Sequence, residues 1–177
     1  TPETIVAMHA CADELSLEPG ERIFGELRRA LETDQPSRFF RALESAQLLA
    51  ITFPELNQLI GQVQPVDFHP EGDSFEHAMK IVDDVSSVNG DVVTRFCALV
   101  HDLGKGVTPQ SMLPHHYRHD KKGIAVLQQW ERRMPLPRHW IKAATLVIEE
   151  HMRAPHLERP GKIVRSEEHT SELQSRS

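Results

Sequence analysis

From Thr1 to Met152 the apolar residues of this chain recur at helical spacing, and nothing alternates convincingly as a strand would. That single period restricts the chain to an all-α fold, in which helices bury their apolar faces against one another. A first helix opens at Pro2 and reaches about Leu15, with Ile5, Met8 and Ala12 on one face, before Pro19-Gly20 breaks it. A second, from Glu21, presents Ile23, Phe24, Leu27, Ala30 and Leu31. Pro36-Ser37 starts a third with Phe39, Phe40 and Leu43, and a short fourth over Pro54–Ile60 carries Leu56, Leu59 and Ile60. Residues 1–60 thus read as a compact set of short helices.

Residues 61–73 hold two prolines and two glycines in a loop-like stretch, the best internal boundary, and read as a linker. Ser74 then caps a helix with Phe75, Met79, Val82 and Val85 inward. Asn89-Gly90 forms a turn. Asp91 caps a more apolar helix (Val92, Val93, Phe96, Cys97, Leu99, Val100) that ends at His101-Asp102-Leu103-Gly104-Lys105, with Gly104 as its C-terminal cap. After a loop through Pro109 and Pro114, a helix covers His119–Arg133. Pro135 and Pro137 precede a last helix, Arg138 to Met152, whose inward residues are Ile141, Ala144, Leu146, Val147 and Ile148.

Composition narrows the class further. With 39% hydrophobic and 26% charged residues the chain is neither disordered nor membranous. No apolar run approaches the ~20 residues of a membrane span, so no membrane partner is expected. The formal charge of −6 argues against a dedicated nucleic-acid binder while leaving room for a local basic face. Cys11 and Cys97 lie in apolar helical contexts without metal-type spacing, and read as reduced core residues of a cytoplasmic protein. The chain starts at Thr1 already inside a helical pattern, which predicts missing upstream sequence. Residues 165–177, polar and aperiodic, resemble the in-frame translation of a sequencing adapter, and are set aside as a non-native tail.

Nine of the 11 histidines lie between His69 and His156. The informative group is His77, His101-Asp102, His116, His119-Asp120 and His151. Imidazoles and carboxylates ligate divalent metals, and a hydrolytic site needs several converging from separate elements. Neighbours on a helix point about 100° apart, so His101 and Asp102 can serve one ion only at a helix end, or if one binds directly and its neighbour leans in. Two ions bridged by one aspartate would activate a water for attack on phosphorus, and Lys105 is the natural phosphate contact. Each residue also has an ordinary alternative: His77 as a surface histidine, His101-Asp102 as a helix-end ion pair, His116 as a loop residue, and His151 as a C-terminal cap. His9, His69, His139 and His156 read as structural or solvent-exposed.

Phe75-Glu76-His77, then Cys97-Ala98-Leu99-Val100-His101-Asp102-Leu103-Gly104-Lys105-Gly106, then His119-Asp120 with Gly123, resembles the HD-domain metal-dependent phosphohydrolases. Further strings resemble the neck and body of bacterial CCA-adding tRNA nucleotidyltransferases that carry an HD domain. These are Glu21-Arg22-Ile23-Phe24-Gly25-Glu26-Leu27, Pro36-Ser37-Arg38-Phe39-Phe40, Phe53-Pro54-Glu55-Leu56 and His69-Pro70-Glu71-Gly72-Asp73.

The resemblance covers residues 1–164. It implies a helical neck and body over 1–60, a linker over 61–73 and an HD bundle over 74–164, cut short of the family's last aspartate. The polymerising head would lie upstream. It further implies hydrolysis of 2′,3′-cyclic phosphodiesters and nucleoside monophosphates with magnesium, manganese or nickel. The metal ligands it implies are His77, His101, Asp102 and His119, with His116 and His151 less firmly placed; Asp102 and Lys105 are the catalytic residues. tRNA and a phosphoester or nucleotide are the implied partners, together with a homodimer. Arg22, Arg28, Arg29, Arg38 and Arg41 are candidates for RNA backbone contacts, against the plainer reading of a solvated charged face. Two further readings compete: a non-catalytic tRNA-binding helical scaffold, and a stand-alone HD nucleotide phosphohydrolase, which would have no need of the strings before Ser74.

Overall fold

The computed structural model describes residues 1–66, 70–88 and 90–153. His69, Asn89, His156 and the tail set aside above lie outside the described residues. Among the described residues ten α-helices follow in order: α1 (Pro2–Ala10), α2 (Ala12–Ser16), α3 (Gly20–Leu31), α4 (Ser37–Ser45), α5 (Leu49–Thr52), α6 (Pro54–Asn57), α7 (Ser74–Ser87), α8 (Val92–Val100), α9 (His119–Arg133) and α10 (Arg138–Glu150). Two short 3₁₀ turns, Leu103–Val107 and Gln110–Met112, lie between α8 and α9. Among the described residues there is no strand, only an isolated antiparallel bridge between Val63 and Asp73. The all-α expectation holds, and no described helix is long and apolar enough to cross a membrane.

Helical period decides which faces are buried. In α3, Leu27, Ala30 and Leu31 are buried while Arg28 and Arg29 point outward. In α7 the buried set is Ser74, Phe75, Ala78, Met79, Val82 and Ser86; in α9 it is Gly123, Val126, Leu127 and Trp130, besides His119 at its start. Four-residue steps bring Trp140, Ala144 and Ile148 of α10 inward. Aromatic rings link the two halves of the sequence. Phe53 stands 5.7 Å from both Phe40 and Trp130, Phe96 is 6.0 Å from Trp130, and Phe24 meets Trp140 edge-on at 5.4 Å. The two halves therefore share one core.

Polar contacts tie the same halves together. Asp83 of α7 accepts from the Ser37 amide at 3.0 Å and from its hydroxyl at 2.6 Å. Arg41 forks onto Glu76 at 2.8 and 2.6 Å. Arg95 donates to the carbonyls of Leu31 and Thr33, and Arg133 pairs with buried Glu55 at 2.8 Å.

Several local expectations are corrected. The first helix is two, broken at Cys11, and the bend lets Ala12 and Leu15 of α2 pack against the core beside α5. Cys11 itself is exposed rather than buried; only Cys97 is a core thiol. Helix α7 is capped by Asp73, whose carboxylate accepts from the Phe75 and Glu76 amides, while the Ser74 hydroxyl turns back to the Gln62 carbonyl. Leu146 and Ile60, expected inward, are 42% and 41% exposed. Gly104 is no helix cap. It lies inside the 3₁₀ turn, and a Cβ there would fall on the His119 carbonyl, so its lack of a side chain is what lets that turn press against α9.

Candidate metal centre

Four helix ends deliver the site. His77 sits one turn into α7, its amide bonded to the Asp73 carbonyl at 2.9 Å. Helix α8 stops at Val100, so His101 occupies the cap position and Asp102 leads into the 3₁₀ turn. This break solves the geometric problem of adjacent ligands: the two side chains leave the helix surface and converge. Arg118 takes a left-handed φ of 57°, turning the chain so that His119 opens α9. His151 caps the end of α10.

Asp102, 2% exposed, is the hub. Its Oδ2 lies 3.1 Å from His101 Nε2, 3.8 Å from His77 Nε2 and 2.6 Å from Lys105 Nζ. Its Oδ1 lies 3.3 Å from Nε2 of both His119 and His151, with no well-aligned hydrogen bond of its own. The tautomers follow from hydrogen bonding, because a carbonyl can only accept. Nδ1–H of His101 donates to Ala98 O, that of His119 to His116 O and that of His151 to Ile148 O, at 2.7, 2.8 and 2.9 Å. In its neutral form each ring aims an Nε2 lone pair at Asp102, the arrangement second-shell carbonyls give to metal-ligating histidines.

His119 Nε2 and His151 Nε2 stand only 3.0 Å apart. Two ring nitrogens and a carboxylate oxygen converging this closely can share a proton or take a cation among them. Ligand atoms of His77, His101 and Asp102 lie within 4.8 Å of one another, as do those of Asp102, His119 and His151. The residues present therefore fit divalent metal, in two triads that share Asp102.

A protonated ring donates from Nε2 to Asp102 instead of offering a lone pair, and the electrostatics favour that form at His101. Burial alone would raise the Asp102 carboxyl, but the charge and hydrogen bond of His101, with contacts from His119 and His151, hold it well below the usual carboxylate range. For His101, burial pushes down, and the Asp102 charge together with its two hydrogen bonds overcomes it, leaving the imidazole above its ordinary value.

Of the other residues singled out from sequence, Lys105 is buried and bonded to Asp102 and to the Gln64 side chain, rather than standing at the surface. His116 stays outside the cluster: its Nε2 donates to Val63 O at 3.0 Å and its Nδ1 accepts from Thr108 Oγ1 at 2.9 Å. Arg22, Arg28 and Arg29 pair with Glu18, Glu32 and Glu26 on their own side of the molecule. Arg38 is exposed beside an open groove of about 810 Å³ lined also by Thr33, Gln35 and Ser87. Sequence reasoning missed Gln64 and Glu71, whose Oε1 lies 3.6 Å from His77 Nδ1. Both belong to the stretch read as a linker, and no spacing marks them.

The HD domain family model matches residues 74–174, and a family described as the probable RNA and SrmB-binding site of polymerase A matches residues 1–60. The HD match extends into the stretch set aside as a tail. The chain is 38% identical over 152 residues to the multifunctional CCA protein of Cupriavidus metallidurans, covering 85% of this chain and 37% of that one. Against the multifunctional CCA protein of Nitrosococcus oceani the figures are 38% over 168 residues, 93% and 41%. Against that of Xylella fastidiosa they are 38% over 160 residues, 88% and 38%. The chain thus spans about two fifths of the length of these relatives. With the HD model covering more than half of the sequence and its matched span holding every residue of the Asp102 cluster, the chain belongs to the HD-domain family.

Proposed function

We propose that this chain is the neck and HD portion of a CCA-adding tRNA nucleotidyltransferase, and that its HD centre hydrolyses 2′,3′-cyclic phosphodiesters and phosphomonoesters with a divalent metal. One observation carries the hydrolytic reading: two donor triads share one buried aspartate, and three of their four histidines are locked with Nε2 facing it. In this reading His77, His101 and Asp102 hold one ion, and Asp102, His119 and His151 hold a second. A cation bound there supplies electrophilic activation of a phosphoryl oxygen and of the attacking water. Four imidazoles and one carboxylate suit manganese or nickel better than magnesium, which prefers an all-oxygen shell. Lys105, close to the same oxygen of Asp102, offers an N–H to the phosphate.

The partners in this reading are tRNA and a phosphoester, and the compartment is the cytoplasm. The family match over residues 1–60 and the names of the relatives support tRNA. Exposed ion pairs such as Arg28–Glu32 are worth only about 0–1 kcal/mol, so these arginines can turn to phosphates at little cost. The test is hydrolysis of 2′,3′-cyclic AMP by the chain in Mn²⁺ or Ni²⁺. Turnover that EDTA and Asp102→Asn both abolish is expected; equal turnover by that variant, or without metal, overturns the reading.

A further inference from the structure

Residues 61–73 do more than connect. The Val63–Asp73 bridge, Gln64 N–H to Gly72 O at 3.0 Å, and Gly61 N–H to Asp73 Oδ2 at 2.7 Å close this stretch into a loop. His116 holds it from outside through Val63 O. The loop places Gln64, 1% exposed, against Lys105. An ammonium has only donors, so it is the carboxamide oxygen that meets Lys105, and the Gln64 Nε2 is left buried without a partner among the described residues. The amide is thus oriented for the lysine at the expense of its own nitrogen.

Lys105 Nζ sits 2.6 Å from Asp102 Oδ2, the oxygen that belongs to the His77/His101 triad. A divalent cation in that triad competes with the ammonium for the same oxygen. The lysine is 5% exposed, so on yielding Asp102 it keeps a buried positive charge that needs another acceptor. Gln64 Oε1 is that acceptor.

We propose that Gln64 is a positioning residue for the metal centre: its carboxamide oxygen holds the Lys105 ammonium when Asp102 turns to a divalent cation. This rests on the metal reading of the Asp102 cluster. The test is calorimetric titration of the whole chain with Mn²⁺ alone, before any substrate is added. Gln64→Met removes the acceptor at similar length and weakens Mn²⁺ binding about tenfold or more, the range typical of outer-shell partners. Gln64→Glu keeps an acceptor and binds at least as tightly as the parent chain. On a Lys105→Met background Gln64→Met has no further effect, because there is no ammonium left to hold.

Unchanged Mn²⁺ affinity in Gln64→Met overturns the proposal alone. So does an equal loss with and without Lys105, or an equal loss in Gln64→Glu. If Gln64→Met unfolds, folding of the double variant supports the proposal, and failure of both overturns it, since Gln64 would then serve the loop instead. Absence of saturable Mn²⁺ binding by the parent chain overturns this proposal and the metal reading together.

Discussion

At the scale of single residues, the chemistry of the centre depends on where a few polar atoms find partners. His101, His119 and His151 spend Nδ1–H on a carbonyl three residues back, which leaves Nε2 as the free donor atom toward Asp102. The doublet and His119 were legible from sequence because histidine and aspartate at helix boundaries have few structural uses in such number. His151 was a less firmly placed candidate, since only the packing of α10 beside α9 brings it to His119. His116 carried the same signal, but both its ring nitrogens bond to the loops, one to Val63 O and one to Thr108 Oγ1. Gln64 left no trace, and Glu71 appeared only inside a resemblance string without a role, as an isolated amide or acid in a loop has no period. The two thiols give a direct check at this scale. Burial, with the nearby Asp91 charge, pushes the Cys97 thiol up to about 11, while Cys11 is exposed. A thiol reagent at pH 8 should label one cysteine per native chain rapidly, and the second only on unfolding.

At the scale of elements, the decisive contact is the 3₁₀ turn after α8 against α9, where Gly104 meets His119 and Gly123. Gly104→Ala should cost about 1–3 kcal/mol by overpacking, and it should weaken Mn²⁺ binding because it displaces the helix that carries His119. Urea unfolding and metal titration of the variant check both. The sequence placed this glycine as a helix cap; its real constraint, a close approach between segments, is invisible without the partner segment. The same holds for Asp73, one residue before the expected cap. It accepts from three amides, those of Gly61, Phe75 and Glu76, and so fixes both the loop and the start of α7. Asp73→Ala should therefore lose about 0.5–2 kcal/mol, the value of an N-cap, measured as a fall in the urea midpoint.

At the scale of the whole molecule, helical period sufficed for the class and for most buried faces, but not for how the two halves meet. Phe53 from the first sixty residues packs against Trp130, with Phe40 edge-on to Phe53, and Arg41 reaches Glu76 beside His77. A shared aromatic core of this kind should melt as one unit. Calorimetry should show a single transition with matching calorimetric and van't Hoff enthalpies, and Phe53→Ala should lower the stability of the whole chain by about 3–5 kcal/mol. Two separable transitions would contradict the shared core.

The central claim is that Asp102 is the shared anchor of a divalent-metal centre, and metal binding tests it without reference to any substrate. Mn²⁺ titrated into the chain and followed by electron paramagnetic resonance should be bound saturably, and Asp102→Asn should abolish that binding while the variant still unfolds cooperatively. Binding by a folded Asp102→Asn chain as tight as that of the parent would contradict the account.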